Sequence, residues 1–151
     1  MFSLYKYPLP PSSNELYASV RGRFIKTKIA RLYDYEVQNY YYNHIDMIND
    51  LKSFVKDSMI CVECIFVFHK KRIISKENKI KKLDASNRLK ICHDSLSRIL
   101  DIDDKQIISG TFEKSICDEE KDEQVIIHIY EMNNIKSYQG KGVFNETSTT
   151  S

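Results

Sequence analysis

The chain has 151 residues, of which 42% are hydrophobic and 29% charged, a balance typical of one globular domain with a single core. This composition excludes a disordered chain. No apolar run reaches the roughly 18 residues that a membrane helix requires. The net charge of +2 is too small to identify a partner by itself.

The N-terminal residues and the four cysteines indicate the compartment of the protein. Residues 1–11 have neither a continuous apolar core nor a small-residue cleavage site, so we expect a cytoplasmic protein with no membrane association. Cys61 and Cys64 form a CxxC within a predicted strand, which would direct the two thiols to opposite faces. A zinc site needs two further ligands, and Cys92 and Cys117 are far apart. Buried free thiols are therefore favoured over a metal site.

The N-terminal half predicts a short strand followed by two helices. Apolar alternation in residues 1–11 stops at a run of prolines, and residues 21–23 form a tight basic turn. Thr27 caps a helix predicted over 28–43, and a second helix is predicted over 46–56. The apolar positions of the first helix recur at spacings of three and four: Ile29, Leu32, Tyr33, Val37 and Tyr40.

The C-terminal half predicts one buried strand over 59–68, a helix over 85–100, and two strands over 106–114 and 124–132. The simplest connection of the last two strands is a hairpin. Together the elements predict an α/β fold, a single domain in which helices pack against a small mixed sheet, without fixing the strand order.

This predicted domain covers residues 1–135. Residues 136–151 contain two glycines, a Ser/Thr-rich end and few apolar side chains. We expect this tail to be disordered.

Residues 70–82 form a basic run with one acid, Glu77. Its seven basic residues are Lys70, Lys71, Arg72, Lys76, Lys79, Lys81 and Lys82. Such a run can lie along nucleic-acid phosphates and release counterions, or it can be a solvated loop without a partner. Composition favours neither interpretation.

Acidic residues flank the predicted helix over 85–100: Asp84 precedes it, and Asp103 and Asp104 follow it. Taken singly, Asp84 is a good helix N-cap, the acidic pair a good turn and Lys90 an ordinary surface lysine. Spacing alone does not show a site, but the joint order of these residues is more specific.

This order resembles the signature of RusA-type Holliday junction resolvases. In that family an Asp-x-Asp-Asn opens a helix, a lysine follows within a turn, and an Asp-Asp-x-Gln leads into a strand. Here Asp84, Asn87 and Lys90 match the first motif, and residues 103–106 match the second. The opening of the chain is also similar, through residues 10–14, Tyr17, the Arg-Gly-Arg turn, Ala30 and Tyr33. The resemblance spans residues 8–132.

The resemblance implies a homodimeric endodeoxyribonuclease that resolves four-way junctions or other branched DNA by paired nicks, in DNA recombination and repair. It implies Mg²⁺, with Mn²⁺ as an alternative, held by Asp84 and Asp104 with help from Asp103, beside a catalytic Lys90. The apolar helices and Tyr40 to Tyr42 are the expected dimer surface. The expected DNA contacts are Asn14, Arg21, Arg23, Lys26, Lys70, Lys71, Arg72 and Lys82.

Ser86 stands where the family pattern has its second aspartate. A hydroxyl binds magnesium more weakly than a carboxylate does, so Asp103 or Glu113 is a candidate replacement, and Ser86 itself a candidate substitute ligand through water. Two alternatives stay open: a catalytically impaired relative that binds junctions, and a non-enzymatic interaction protein whose acids are caps and turns. His93 is interpreted as a surface or packing residue and not as a general base.

Overall fold

The structure is a computed structural model that describes residues 1–132, 134–138 and 144–148. In chain order its elements are β1 (Phe2–Tyr7), β2 (Tyr17–Val20), β3 (Arg23–Lys26), α1 (Lys28–Asn43), α2 (Ile45–Val55), β4 (Ile60–His69), α3 (Lys70–Ile73), α4 (Ser86–Leu100), β5 (Ile107–Cys117), β6 (Gln124–Glu131), β7 (Asn134–Tyr138) and β8 (Phe144–Ser148).

A four-stranded sheet in the order β1-β6-β4-β5 carries the core. β4 is central and pairs with β5 in parallel and with β6 antiparallel, while β1 pairs antiparallel with β6. The side chains of β4 that point to one face are all buried: Val62, Cys64, Phe66 and Phe68. The predicted α/β fold with helices packed against a small mixed sheet is therefore confirmed.

The helix α1 begins and ends where the sequence predicts, but its buried stripe is narrower. The buried positions are Ala30, Tyr33, Val37 and Tyr40. Ile29 and Leu32 were expected in the core, yet they are 50% and 55% exposed. The spacing of three and four residues fits both sets, and packing against α2 and α4 selects the one centred on Tyr33 and Val37.

The predicted hairpin of the last two strands of the domain is wrong. β5 and β6 both pair with β4 and lie on opposite sides of it. The reason is that α4 is a crossover helix that returns the chain parallel to β4, and the chain then crosses to the free side of the same strand.

Part of the predicted tail lies outside the described residues, namely 139–143 and 149–151. The strand β7 overlaps the start of that tail, β8 lies within it, and the two strands pair antiparallel with each other. No helix among the described residues is long and apolar enough to cross a membrane. All four cysteines are free, and Cys64 and Cys92 are buried, with their sulfur atoms 4.0 Å apart.

Candidate active site

The carboxylate of Asp84 lies at the N-terminus of α4 and caps it from outside the helix. Its Oδ1 accepts hydrogen bonds from Ser86 N at 2.9 Å, Ser86 Oγ at 2.6 Å and Asn87 N at 3.3 Å. Its Oδ2 accepts from Asn87 Nδ2 at 2.7 Å. The Ser86 hydroxyl, followed by the Asn87 backbone, holds the pKa of this carboxyl below its ordinary value. Asp84 is thus an exposed and ionised carboxylate fixed in orientation.

Lys114 is a functional candidate that sequence reasoning missed. Its Nζ donates to Leu83 O at 2.5 Å, and its charge also lowers the pKa of Asp84. Lys114 lies on β5, thirty residues along the chain from Asp84, so only the packing of the loop before α4 against β5 brings the two together. No local sequence signal could have found this contact.

A cleft of about 310 Å³ lies between α4 and the start of β5. It brings together three of the predicted site residues: Ser86, Lys90 and Asp104. Its other lining residues are Leu89, His93, Asp94 and Ile107. Positions 86, 90 and 93 lie on one face of a helix, and Asp104 follows the helix in the 3-10 turn that leads into β5. Asp84 adjoins this cleft through its hydrogen bond with Ser86.

The two acids of the Asp-Asp-x-Gln motif have different roles. Asp103 caps the 3-10 turn: its Oδ1 accepts from Lys105 N at 3.0 Å, and its Oδ2 lies 3.5 Å from Lys105 Nζ. Among the described residues, Asp104 has no hydrogen-bond or ion-pair partner for its carboxylate, although it lines the cleft. Asp104 is therefore the better candidate metal ligand of the pair.

Gln106 fixes this turn to the rest of the domain. Its amide nitrogen donates to Val55 O and to Ser58 O, both at 3.1 Å, and its Oε1 accepts from Asp103 N at 3.1 Å. The motif glutamine therefore anchors Asp104 to the end of α2, so that the carboxylate reaches the cleft from a rigid turn.

The donor chemistry of this site fits a hard divalent cation. Asp84, Asp104 and Ser86 offer oxygen atoms only. Within the described part of the chain there is no cluster of three His, Cys, Asp or Glu side chains that could hold a metal by themselves. Mg²⁺ commonly takes one or two carboxylates and completes its shell with water and substrate phosphate. Among the described residues, Glu113 does not line the cleft, so the structure gives it no part in this donor set.

Lys90 and His93 also line the cleft. Lys90 Nζ lies 3.7 Å from Asp94 Oδ2, and both side chains are more than half exposed, so this ion pair is weak and leaves the ammonium free for a phosphate. His93 packs against Gly110 of β5, and its buried Nε2 has no hydrogen-bond partner among the described residues. Its predicted packing role agrees with this position, and the absence of a catalytic role stays a prediction.

The candidate DNA contacts fall into two groups. Three of the cations have acidic partners, which are Asp34 for Lys26, Asp118 for Lys70 at 3.3 Å, and Glu123 for Arg72 at 2.9 Å. Arg21, Arg23, Lys71 and Lys82 are exposed without an ion pair to any described residue. Asn14 is exposed in the 3-10 turn Ser13–Glu15.

The sequence profile of the family described as endodeoxyribonuclease RusA matches residues 8–130. No curated protein sequence matches the chain. The matched region begins directly after β1 and includes α4, the cleft and nearly all of β6.

Proposed function

Because the chain belongs to the endodeoxyribonuclease RusA family, we propose that it resolves Holliday junctions by paired, Mg²⁺-dependent nicks made by a homodimer. The family consists of endonucleases that resolve Holliday junctions, so the chain is an endodeoxyribonuclease whose substrate is branched DNA. The observation that supports the residue assignment is the single cleft that joins Ser86, Lys90 and Asp104 next to the oriented carboxylate of Asp84.

In this proposal Asp84 and Asp104 hold the divalent cation, and Mn²⁺ can replace Mg²⁺. A bound Mg²⁺ supplies charge to neutralise the phosphate and activate the attacking water. Asp84 contributes a carboxylate kept ionised by Ser86 and Asn87. Ser86 hydrogen-bonds to Asp84 and lines the cleft, so its hydroxyl contributes through an intervening water, while Asp103 remains a capping residue.

Lys90 acts on the phosphate of the scissile bond. Its exposed ammonium lies in the cleft one helical turn from Ser86. Charge accumulates on the phosphate oxygens in the transition state, and a positioned cation stabilises that state more than the ground state. Asp94 is displaced easily because its ion pair with Lys90 is long and exposed.

DNA is held by the cations that protein acids do not neutralise. Arg21, Arg23, Lys71 and Lys82 are the first candidates, because Lys26, Lys70 and Arg72 must release an acidic partner before they contact phosphate. Asn14 lies in the 3-10 turn before β2, from which its side-chain amide donates a hydrogen bond to DNA in this proposal.

Two matching cuts require two sites, and a two-fold dimer supplies them. Tyr40 was expected at the dimer surface, but it is buried and its hydroxyl donates to Tyr5 O. The outer face of α1 supports the dimer instead, through a stripe of four exposed apolar side chains: Ile29, Leu32, Tyr35 and Tyr42.

The test is nicking of a synthetic four-way junction with and without Mg²⁺. Asp84→Asn and Asp104→Asn are expected to bind the junction and to nick it at least about a hundredfold more slowly, and Lys90→Ala to nick it about a hundredfold more slowly. Asp50→Asn and Lys121→Ala, which change exposed residues that do not line the cleft, are the matched controls. Equal rates for Asp84→Asn and Asp50→Asn would refute the residue assignment.

Ser86 supports one competing function, a relative that binds junctions and no longer cuts them. The variant Ser86→Asp separates the two: an active wild type favours the nuclease, whereas activity gained only in Ser86→Asp favours the impaired relative. A chain that does not bind branched DNA at all would instead be a non-enzymatic interaction protein.

A further inference from the structure

The β2–β3 hairpin is a two-stranded sheet separate from the main sheet. Its two turn residues, Arg21 and Gly22, have φ values of 52° and 75°. Two successive residues with positive φ in a two-residue connection are the pattern of a type I′ turn, whose twist matches that of the strands. The hairpin is therefore a well-defined ribbon, and Arg21 and Arg23 lie at its tip.

One face of this ribbon is aromatic and exposed. In the strand register Tyr17 is opposite Lys26 and Ser19 is opposite Phe24, so these four side chains share a face. Phe24 is 83% exposed and Tyr17 is 57% exposed. Side chains of this size normally leave water, so their exposure on a projecting ribbon indicates a binding surface.

The charge around the ribbon is complementary to a polyanion. Residues 16–33 contain five basic residues and no acid, and Asp34, which follows them, pairs with one of the five, Lys26. The basic residues are Arg21, Arg23, Lys26, Lys28 and Arg31. Single-stranded nucleic acid is bound by cations and stacking rings together, which is the combination that this ribbon offers.

The base of the ribbon adjoins the candidate active site. A second cleft of about 180 Å³ is lined by Tyr17 and Lys26 of the ribbon and by residues of α4 that include Asp94. Asp94 also lines the cleft of Lys90 and Asp104. The aromatic face of the ribbon therefore begins beside Asp94, at the edge of the active-site cleft.

We propose that Phe24 and Tyr17 stack on unpaired nucleobases at the branch point of the DNA, while Arg21 and Arg23 hold the adjoining phosphates. The inference rests on the proposed function for its substrate. Rings stack on any base, so the contact recognises the open structure of a junction and not its sequence. A two-stranded ribbon is also narrow enough to enter the major groove beside the branch point.

The test uses a four-way junction with 2-aminopurine at the crossover, without divalent cations so that binding is observed apart from cutting. Phe24→Ala is expected to weaken junction binding about 5- to 150-fold and to abolish the stacking-dependent fluorescence change. Phe24→Leu keeps an apolar side chain but loses the aromatic face, and it is expected to resemble Phe24→Ala. Tyr5→Ala, which removes a 59% exposed ring from β1, is the matched control and should resemble the wild type.

Three results would overturn the inference: equal affinity and fluorescence change for Phe24→Ala and Tyr5→Ala, wild-type protein that binds no junction, or conversion of dimer to monomer by Phe24→Ala in size-exclusion chromatography. The last result would make the ribbon a contact between copies of the chain. Nicking is assayed separately with Mg²⁺. A Phe24-dependent fluorescence change without nicking supports the inference and removes the proposed function, whereas nicking by the wild type together with equal affinity and fluorescence change for Phe24→Ala and Tyr5→Ala does the reverse.

Discussion

Gly110 of β5 gives the sharpest structural test, because a side chain there meets the candidate active site directly. A Cβ atom built on Gly110 lies 2.7 Å from His93 Cε1, which is 0.7 Å short of the 3.4 Å at which ordinary contact begins. No positive φ is recorded at Gly110, so alanine suits the backbone itself. The substitution Gly110→Ala therefore perturbs one contact, that with the imidazole ring of His93.

The expected magnitude follows from two opposing effects. Forcing an extra methyl group into a packed contact costs about 1–3 kcal/mol. Replacing glycine by alanine within a strand returns about 0.5–1 kcal/mol, because alanine loses less backbone entropy on folding. The midpoints of these ranges leave a net effect of about 1 kcal/mol, so we expect Gly110→Ala to lower the free energy of unfolding by about 1 kcal/mol, and by no more than about 2.5 kcal/mol, in the wild-type background. In a His93→Ala background the same change should raise that free energy by up to about 1 kcal/mol.

The assay is urea unfolding of the wild type, the two single variants and the double variant, analysed as a double-mutant cycle. The reversal of sign between the two backgrounds is the diagnostic result. Equal destabilisation by Gly110→Ala with and without the imidazole would show that His93 does not lie against this strand, and the geometry of the cleft would have to be revised.

Three further outcomes are expected. Ser95→Ala removes an Oγ that lies 2.8 Å from both Tyr7 Oη and Tyr33 Oη, and the loss should lower the free energy of unfolding by about 1–3 kcal/mol in urea denaturation; a loss below about 0.5 kcal/mol would count against this network. The pKa of Asp84 is lowered chiefly by the Ser86 hydroxyl, so the stabilisation by the ionised carboxylate is present above the ordinary pKa and is lost as the pH falls through the lowered one. Ser86→Ala should therefore raise the Asp84 midpoint in an NMR titration, and an unchanged midpoint would refute this cause. Junction binding should weaken at least tenfold between about 50 and 200 mM salt in a gel-shift titration, and insensitivity to salt would contradict phosphate contacts.

Local signals predicted α1, α2, α4 and the four strands of the main sheet, but they did not predict the strands β2 and β3. The helix α1 begins after Thr27, whose Oγ1 accepts from Ala30 N at 3.1 Å, and both the cap and the apolar spacing are readable within one helix length. Pairing of distant strands has no such local signal. β4 separates β5 from β6 because α4 crosses over between parallel strands, and a strand pattern does not reveal its neighbour.

The burial of Arg88 in α4 also depends on distant residues that local sequence patterns do not reveal. A charged side chain is ordinarily exposed, yet Arg88 is only 5% exposed. Its guanidinium donates to Pro10 O and lies 5.4 Å from the centre of the Phe68 ring. The guanidinium of Arg72 lies 5.2 Å from the centre of the same ring. A cation becomes tolerable in the interior through such partners, and only tertiary structure supplies them.

Part of the candidate site could likewise be predicted from local spacing, and part depends on tertiary structure. Ser86 and Lys90 are one helical turn apart, so their shared face could be predicted from spacing alone. Their meeting with Asp104 could not, because it depends on the turn that Gln106 fastens to the end of α2. The different roles of Asp103 and Asp104 could not be predicted from the sequence either, because both residues fit the family motif. Only the hydrogen bond from Lys105 N identifies Asp103 as the capping residue.

The most direct test of the central claim is paramagnetic broadening of side-chain carboxyl signals by Mn²⁺ in the protein bound to a four-way junction whose crossover linkages resist cleavage. If Asp84 and Asp104 hold one cation beside Lys90, both carboxyl signals broaden together as Mn²⁺ is added, and Asp84→Asn weakens the broadening of Asp104. Broadening of one carboxyl without the other, or of neither, would contradict a shared metal site.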